Sequence, residues 1–270
     1  MIVCGITGHN GNLGKKFIKS FNGFKFEKFQ GNIANRKDVD NWVKTKEFDL
    51  ILHFASVVPT KIVNTNYEHA SRVNYDGTKF LINSLINHKK KIKWFFFSST
   101  SHVYGKSNNP IRENFLKKPS SKYGITKLNA EKYIEKKLKT KNINYCIGRI
   151  FSIADNKKKE FLIPNLIKKI KSKKNKFDDL NHYRDFITTK QISKIINLLW
   201  LNKFSGVINI ANGKKIFLKN LAIYLSKKYK KTISFNDSKK STKIIANIDK
   251  LIKIRYRPKK LKFTEFFNQI

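Results

Sequence analysis

A chain of 270 residues, 40% of them hydrophobic, can bury a sizeable core, which excludes disorder as the default state. Lys and Arg total 58 against 18 Asp and Glu, a formal charge of +40, so nucleic acid and anionic membrane must be weighed as partners. No apolar run approaches the roughly 18 residues of a spanning helix, and Met1-Ile2-Val3-Cys4-Gly5 does not read as a cleavable leader; a cytoplasmic protein without membrane insertion is expected.

The predicted elements alternate along the first half. Ile2 to Thr7 is a short apolar strand ending in a glycine turn, Leu13 to Phe21 a helix, and Phe24 to Phe29 a second strand. Asn35 to Lys44 reads as a helix, Leu50 to Phe54 as a buried strand, and Glu68 to Asn87 as one long helix. The apolar run from Trp94 to Phe97 follows, then a helix over Lys122 to Lys139 and a strand over Tyr145 to Ile150. Such alternation predicts an α/β fold, a parallel sheet with helices on both faces. Beyond residue 150 the rhythm loosens: helices are expected at Phe161 to Lys171, Gln191 to Leu201 and Leu218 to Tyr229, with a strand at Gly206 to Ile210. This part reads as a smaller substrate-binding lobe, 151–270, after a first domain of 1–150.

The lysines are spread over the whole chain, as in Lys136-Lys137, Lys157-Lys158-Lys159, Lys227-Lys228 and Lys239-Lys240, which reads as a solvated surface. No helix-turn-helix, zinc-finger or aromatic RNA-binding pattern accompanies them, so no specific nucleic-acid partner is expected. Cys4 and Cys146 lie in apolar runs and read as reduced core thiols, with no metal site.

Two patterns carry chemistry. Thr7-Gly8-His9-Asn10-Gly11-Asn12-Leu13-Gly14 follows the first strand, with glycines at intervals of three. Such glycines permit a tight turn, let backbone N–H groups approach a pyrophosphate, and pack the next helix close to the strand. The helix N-terminus adds a favourable field for phosphate. The second pattern is Ser98-Ser99-Thr100-Ser101-His102-Val103-Tyr104-Gly105, then Tyr123-Gly124-Ile125-Thr126-Lys127. Tyr and Lys four apart share a helix face, where the ammonium stabilises a phenolate and brings it within reach of neutral-pH proton transfer.

Together these segments resemble the extended short-chain dehydrogenase/reductases, the NAD-dependent epimerase/dehydratase family. His53-Phe54-Ala55-Ser56 is similar to its H-x-A-A element and Val73-Asn74-Tyr75-Asp76-Gly77-Thr78 to V-N-x-x-G-T. Arg184-Asp185-Phe186-Ile187 resembles R-D-F/Y-I, and Gly206 to Gly213 resembles the G-x-x-x-N-I-G-x-G that follows it. The resemblance implies a Rossmann-type doubly wound sheet, NAD or NADP as cofactor, a nucleotide-sugar substrate and a homodimer. It implies Thr100, Tyr123 and Lys127 as the catalytic set, with a strand-end cap at Thr100 and a hydroxyl from Ser99 or Ser101 as the competing reading. Gly8, Asn10, Gly11, Asn12, Leu13, Gly14, Phe54, Ala55, Ser56, Asn74 and Ser98, with Tyr123 and Lys127, would line the cofactor. Thr100 and Arg184 would meet the substrate, Arg184 at its diphosphate unless it forms an ion pair with Asp179 or Asp185. Arg149 is as well suited to structure as to substrate.

Departures narrow the reaction. Ser101-His102 stand where 4,6-dehydratases carry Asp-Glu and sugar-acid decarboxylases carry Glu, which disfavours both; His102 is itself a candidate acid or base. Ser152 replaces an expected Asn, and Lys190 and Gln191 lie near a missing Asp. The second strand ends in Phe29-Gln30-Gly31 with no acid for a ribose 2′-OH, while Lys25 or Lys28 would favour a 2′-phosphate, so NAD and NADP both stay open. The expected activity is a nucleotide-sugar epimerase working at C4. The alternatives are a 4-keto reductase, which the stretch Asp179 to Phe186 also resembles, and a non-catalytic protein of this fold that binds polyanions.

Overall fold

The computed structural model describes residues 1–58, 60–154, 161–172, 176–236, 241–258 and 264; the lysine runs 157–159 and 239–240 lie outside them. They form two units, Met1–Gly105 with Leu116–Ile150 and Thr189–Ile208, and Lys106–Phe115 with Phe151–Thr188 and Asn209–Ile270.

In the first unit β1 (Ile2–Thr7), β2 (Phe24–Lys28), β3 (Leu50–His53), β4 (Trp94–Thr100) and β5 (Tyr145–Ile150) pair in parallel, in the order β2-β1-β3-β4-β5 with Gly206–Ile210 beside β5. The chain steps from β1 outward to β2, then crosses back to β3 on the other side. That reversal leaves a crevice at the carboxyl ends of β1 and β3, where ligands of such sheets bind. β1, β3, β4 and β5 are largely apolar and buried because both faces are covered, whereas the edge strand β2 alternates Phe with Lys and Glu. Phe95, Phe97, Ile51 and Ile147 face one layer, joined there by Trp42, Leu81, Leu85 and Ile134.

α1 (Asn12–Ser20), α2 (Arg36–Thr45), α3 (Thr60–Thr65), α4 (Tyr67–Ser71), α5 (Gly77–Asn87) and α6 (Lys122–Lys139) connect the strands. α2 and α5 pack together, as do α5 and α6, whereas α1 packs on the later helix Thr189–Leu201. That helix buries Ile192, Ile195, Ile196 and Leu199, and sets the Trp200 ring 5.9 Å from that of Trp94 of β4, tilted against it. The expected boundary at residue 150 is therefore crossed. Residues 189–208 belong to the first unit because their apolar face covers its sheet, and Lys106–Phe115 belong to the second.

The helix expected over Glu68 to Asn87 is interrupted. α4 gives way to a wide, π-type turn at Arg72–Asp76 before α5 resumes, a geometry common where a helix must present one side chain out of register. The side chain so placed is Asn74, fully buried.

In the second unit His182–Ile187 pairs antiparallel with Lys215–Phe217 and parallel with Thr242–Ile244 and Ser152–Ile153. Helices Leu162–Lys171 and Leu218–Lys228 pack together over Phe177 and Phe186. Among the described residues no helix is long and apolar enough to cross a membrane, and no cluster of His, Cys, Asp and Glu could hold a metal ion.

Candidate active site

The glycine loop turns where β1 ends. Gly8 adopts φ +69°, and a Cβ there would lie 2.5 Å from the Ala55 nitrogen, so the loop and the residues after β3 touch backbone to backbone. A Cβ on Gly14 would meet the Gly8 carbonyl oxygen at 2.5 Å, which seats α1 directly on the turn. Gly11 differs. Its backbone is extended, and a Cβ would meet only the Gly8 oxygen, at 3.1 Å. No side chain caps α1 and no acid occupies its first turn. A tight glycine turn leading straight into the N-terminus of a helix fits a dinucleotide pyrophosphate.

β3 ends in His53, which is buried and pulled down to about 3 by desolvation and then by the nearby Lys127 charge. Its Nδ1 is 2.7 Å from Thr7 Oγ1 and its Nε2 2.9 Å from Thr78 Oγ1. Thr78 donates its own hydrogen to the Asn74 carbonyl at 2.9 Å, so Nε2–H donates to Thr78 and Nδ1 accepts from Thr7. The neutral imidazole thereby ties β1, β3 and α5 together under the loop. Ser98 Oγ donates to the His53 carbonyl at 3.1 Å.

α6 starts at Ser121, whose side chain accepts the Gly124 N–H at 3.1 Å, and buries Tyr123, Thr126, Lys127, Ala130, Glu131, Ile134 and Leu138. That stripe has ordinary helical spacing, yet three of its members are ionisable. Tyr123 is pushed up to about 12 by burial, against the pull of hydrogen bonds from Ser56 and Thr100. Thr100 accepts the His102 N–H at 3.2 Å as a strand-end cap. Ser99 turns instead to Glu131. Lys127, one turn on, is 1% exposed, and its Nζ lies 4.0 Å over the Phe97 ring with no hydrogen-bond partner. Burial lowers it to about 7, and Glu131 opposes that shift. An orphaned ammonium at the mouth of a glycine cradle fits a group bearing ribose hydroxyls.

Sequence reasoning missed Glu131, whose carboxylate binds Arg149 through Nε and Nη2, and Arg149 also donates to the Tyr104 hydroxyl at 3.0 Å. Arg149 thus has a structural place in the first unit. The K-x-x-x-E spacing after Tyr123 was the available signal. His102 stacks edge-on to Tyr123 at 5.7 Å and its Nδ1 is 3.4 Å from Ser121 Oγ. Lys25 pairs with Glu27 at 3.3 Å.

Arg184 lies in the second unit, where Nη1 donates to the Tyr183 carbonyl at 2.9 Å and the Thr242 hydroxyl at 3.0 Å. Asp179 pairs with His182 at 2.7 Å, and Asp185 turns inward to accept N–H groups of Asn212, Gly213 and Ala246. Burial raises the Asp185 carboxyl to about 7 against those bonds.

The sequence model of the GDP-mannose 4,6 dehydratase family matches residues 6–266. The chain belongs to that family. It is an extended short-chain dehydrogenase/reductase of the epimerase/dehydratase type. A putative UDP-glucose 4-epimerase of Methanocaldococcus jannaschii is 28% identical over 192 residues, 68% of this chain and 62% of that protein. The chain thus spans less than two thirds of the length of this curated relative. An ADP-L-glycero-D-manno-heptose-6-epimerase of Brachyspira hyodysenteriae is 26% identical over 231 residues, 78% of this chain and 69% of the relative. In fold, the chain matches a UDP-N-acetylglucosamine 4-epimerase from Methanobrevibacter ruminantium with TM-score 0.83 at 22% identity, covering 99% and 96% of the two chains. RMD from Pseudomonas aeruginosa, complexed with NADPH, gives TM-score 0.86 at 16% identity, covering 99% and 98%.

Proposed function

We propose that this family member is an NAD(P)-dependent nucleotide-sugar epimerase that works by reversible hydride transfer at a sugar carbinol, C4. The observation that carries this reading is the arrangement on α6: the buried Tyr123 phenol, one turn from a buried Lys127 ammonium that has no hydrogen-bond partner. The names of the sequence relatives support it.

When bound, the nicotinamide supplies the hydride exchange with the sugar carbon. The chain supplies the rest. The backbone at Gly8, Gly11 and Gly14, with Asn10, Asn12 and Leu13, cradles the pyrophosphate, and Phe54, Ala55 and Ser56 wall the crevice. Lys127 holds ribose hydroxyls, and its charge favours the phenolate of Tyr123 over the phenol. Tyr123 takes the proton of the sugar hydroxyl during oxidation and returns it during reduction. Thr100 orients that oxygen, and Arg184 binds the substrate diphosphate. Elimination of water is disfavoured, since Ser101 and His102 offer no carboxyl pair after Thr100. A homodimer is part of the same reading.

The 4-keto reductase is the second reading, favoured by Arg184-Asp185-Phe186 within Asp179 to Phe186 and by a fold neighbour that carries NADPH. Protein purified without added cofactor separates the two. An epimerase retains a dinucleotide and interconverts C4 epimers with no net redox change. Stoichiometric loss of reduced-nicotinamide absorbance with a 4-keto nucleotide sugar, and no epimerisation of any sugar nucleotide, would make it a reductase.

A further inference from the structure

Lys127 and Glu131 stand one turn apart on α6, both buried, at the spacing where a lysine and a glutamate on one helix face form an ion pair. Here they form none. The Glu131 carboxylate is taken by Arg149 of β5: Nε lies 3.0 Å from Oε1 and 3.2 Å from Oε2, and Nη2 lies 2.7 Å from Oε2. Ser99 of β4, the register partner of Arg149 in the sheet, donates its hydroxyl to Oε1 as well. Arg149 is held in turn by the Tyr104 hydroxyl, which accepts from Nη1 at 3.0 Å. Lys127 Nζ meanwhile rests 4.0 Å over the Phe97 ring, without a hydrogen-bond partner among the described residues. Two buried cations thus lie within reach of one buried carboxylate, and only one of them has it. The planar guanidinium meets both oxygens at once, a geometry that a point-like ammonium matches poorly.

We propose that Arg149 is a positioning residue for Lys127: by holding the Glu131 carboxylate, it keeps the Lys127 ammonium available to the cofactor ribose. This rests on the ribose role given to Lys127 above. With Arg149 removed, Glu131 would keep the Ser99 hydroxyl and no counter-charge, and a buried carboxylate in that state seeks a cation. A change of its side-chain rotamer would bring it to Lys127, one turn back on the same helix. The ammonium would then be satisfied within the protein, and a ribose hydroxyl would have to displace an ion pair to reach it. The other titratable groups beside Lys127 are Tyr123 on α6 and His53 of β3, which burial keeps neutral. Neither offers the ammonium a carboxylate, so the contest is between Arg149 and Lys127 for Glu131.

The test reads Lys127 itself before it reads ligand binding. In the full chain without dinucleotide, isotope-labelled lysine ammonium groups are followed by NMR, with Lys127→Met identifying the resonance. Arg149→Met should move the Lys127 titration up by about one pH unit or more, as a new carboxylate partner does. Its affinity for NAD or NADP, by calorimetry at pH 6, should fall about tenfold or more. Glu131→Leu/Arg149→Met removes the competitor together with its holder. It should return the titration to the wild-type position or below, and restore most of the affinity. Arg149→Lys, which keeps the charge and loses the fork, serves where Arg149→Met does not fold; it should give a smaller shift of the same sign. An unmoved titration in the folded variant would overturn the proposal. So would a double variant that binds dinucleotide as weakly as the single one. A moved titration, in a protein whose Lys127→Met variant binds dinucleotide as well as wild type, would uphold the contest over Glu131 and remove the ribose role instead.

Discussion

The Glu131 carboxylate receives Nε and Nη2 of Arg149 at 3.0 and 2.7 Å, in a pair of which only 1% of either side chain is exposed. Breaking such a pair from one side leaves a buried charge without its counterpart, which costs about 3–5 kcal/mol. Arg149→Met should therefore lower the urea midpoint sharply at constant m-value. Glu131→Leu/Arg149→Met should be more stable than Arg149→Met, because the Glu131 carboxylate is no longer left without its guanidinium. A double variant as unstable as the single one would show that packing, not charge, sets the cost.

Lys127 carries the opposite signature, a charge the fold must hold without a hydrogen bond. Its lowering to about 7 means that between pH 7 and the ordinary lysine value the unfolded chain keeps a proton the native chain has released. Native stability from this group thus rises with pH across that window, and the penalty is complete below it. Lys127→Met, stripped of cofactor, should be more stable than wild type by at least about 1 kcal/mol at neutral pH, roughly 2–4 °C in Tm, and the gain should shrink toward pH 10. The same variant should have no turnover. Thermal melts at several pH values decide it; a gain that does not shrink contradicts the charge argument.

Tyr123→Phe deletes a transferable proton and little else. Turnover should fall by roughly 10²–10⁴ while circular dichroism and dinucleotide affinity hold. Near-wild-type turnover would remove Tyr123 from the chemistry.

Gly8 and Gly11 should separate in one experiment. Gly8→Ala forces a left-handed backbone and a backbone clash, so it should cost about 1–3 kcal/mol of stability. Gly11→Val keeps an ordinary backbone and meets one tight contact, with the Gly8 oxygen at 3.1 Å, while its side chain enters the space proposed for the pyrophosphate. Its melt should fall less than that of Gly8→Ala while calorimetry shows NAD and NADP affinity lost. Retained affinity for both would make the loop a turn and nothing more.

Arg184→Ala should weaken nucleotide-sugar binding about tenfold or more, in proportion to a lost charge-assisted contact, with dinucleotide affinity kept. Equal loss of both ligands, or of neither, would count against a diphosphate role.

Elements with punctuated ends were legible from sequence: α6 begins at the Ser121 cap, and β5 and Gly206–Ile210 have the expected bounds. The turn at Arg72–Asp76 was not, since residues 68–87 carry unbroken helical periodicity and the break is imposed by what Asn74 binds elsewhere. His182–Ile187 hid as a strand because His182, Arg184 and Asp185 interrupt its apolar run. The N–H groups that donate to Asp185 inside the fold come from residues 27 to 61 positions away. In the site, Tyr123, Thr100 and Lys127 were read from their motif; Tyr123 and Lys127 lie one turn apart on α6, and Thr100 ends β4. The Glu131–Arg149 pair and the Ser56–Asn74 bond depend on side chains meeting across elements, which spacing along one chain does not reveal.

The helix Thr189–Leu201 covers a layer whose partner α1 was made some 180 residues earlier, and the Phe204 carbonyl anchors the Trp94 indole at 2.8 Å. As the polypeptide leaves the ribosome, the nascent sheet must wait with one side bare until about residue 208 emerges. At about 5–20 residues per second, the interval from residue 150 lasts several seconds. During it, Trp94, Phe96 and their neighbours are the natural place for a chaperone to hold. A gene cut after residue 150, at the end of β5, should yield insoluble product, although β1 to β5 are all encoded in it.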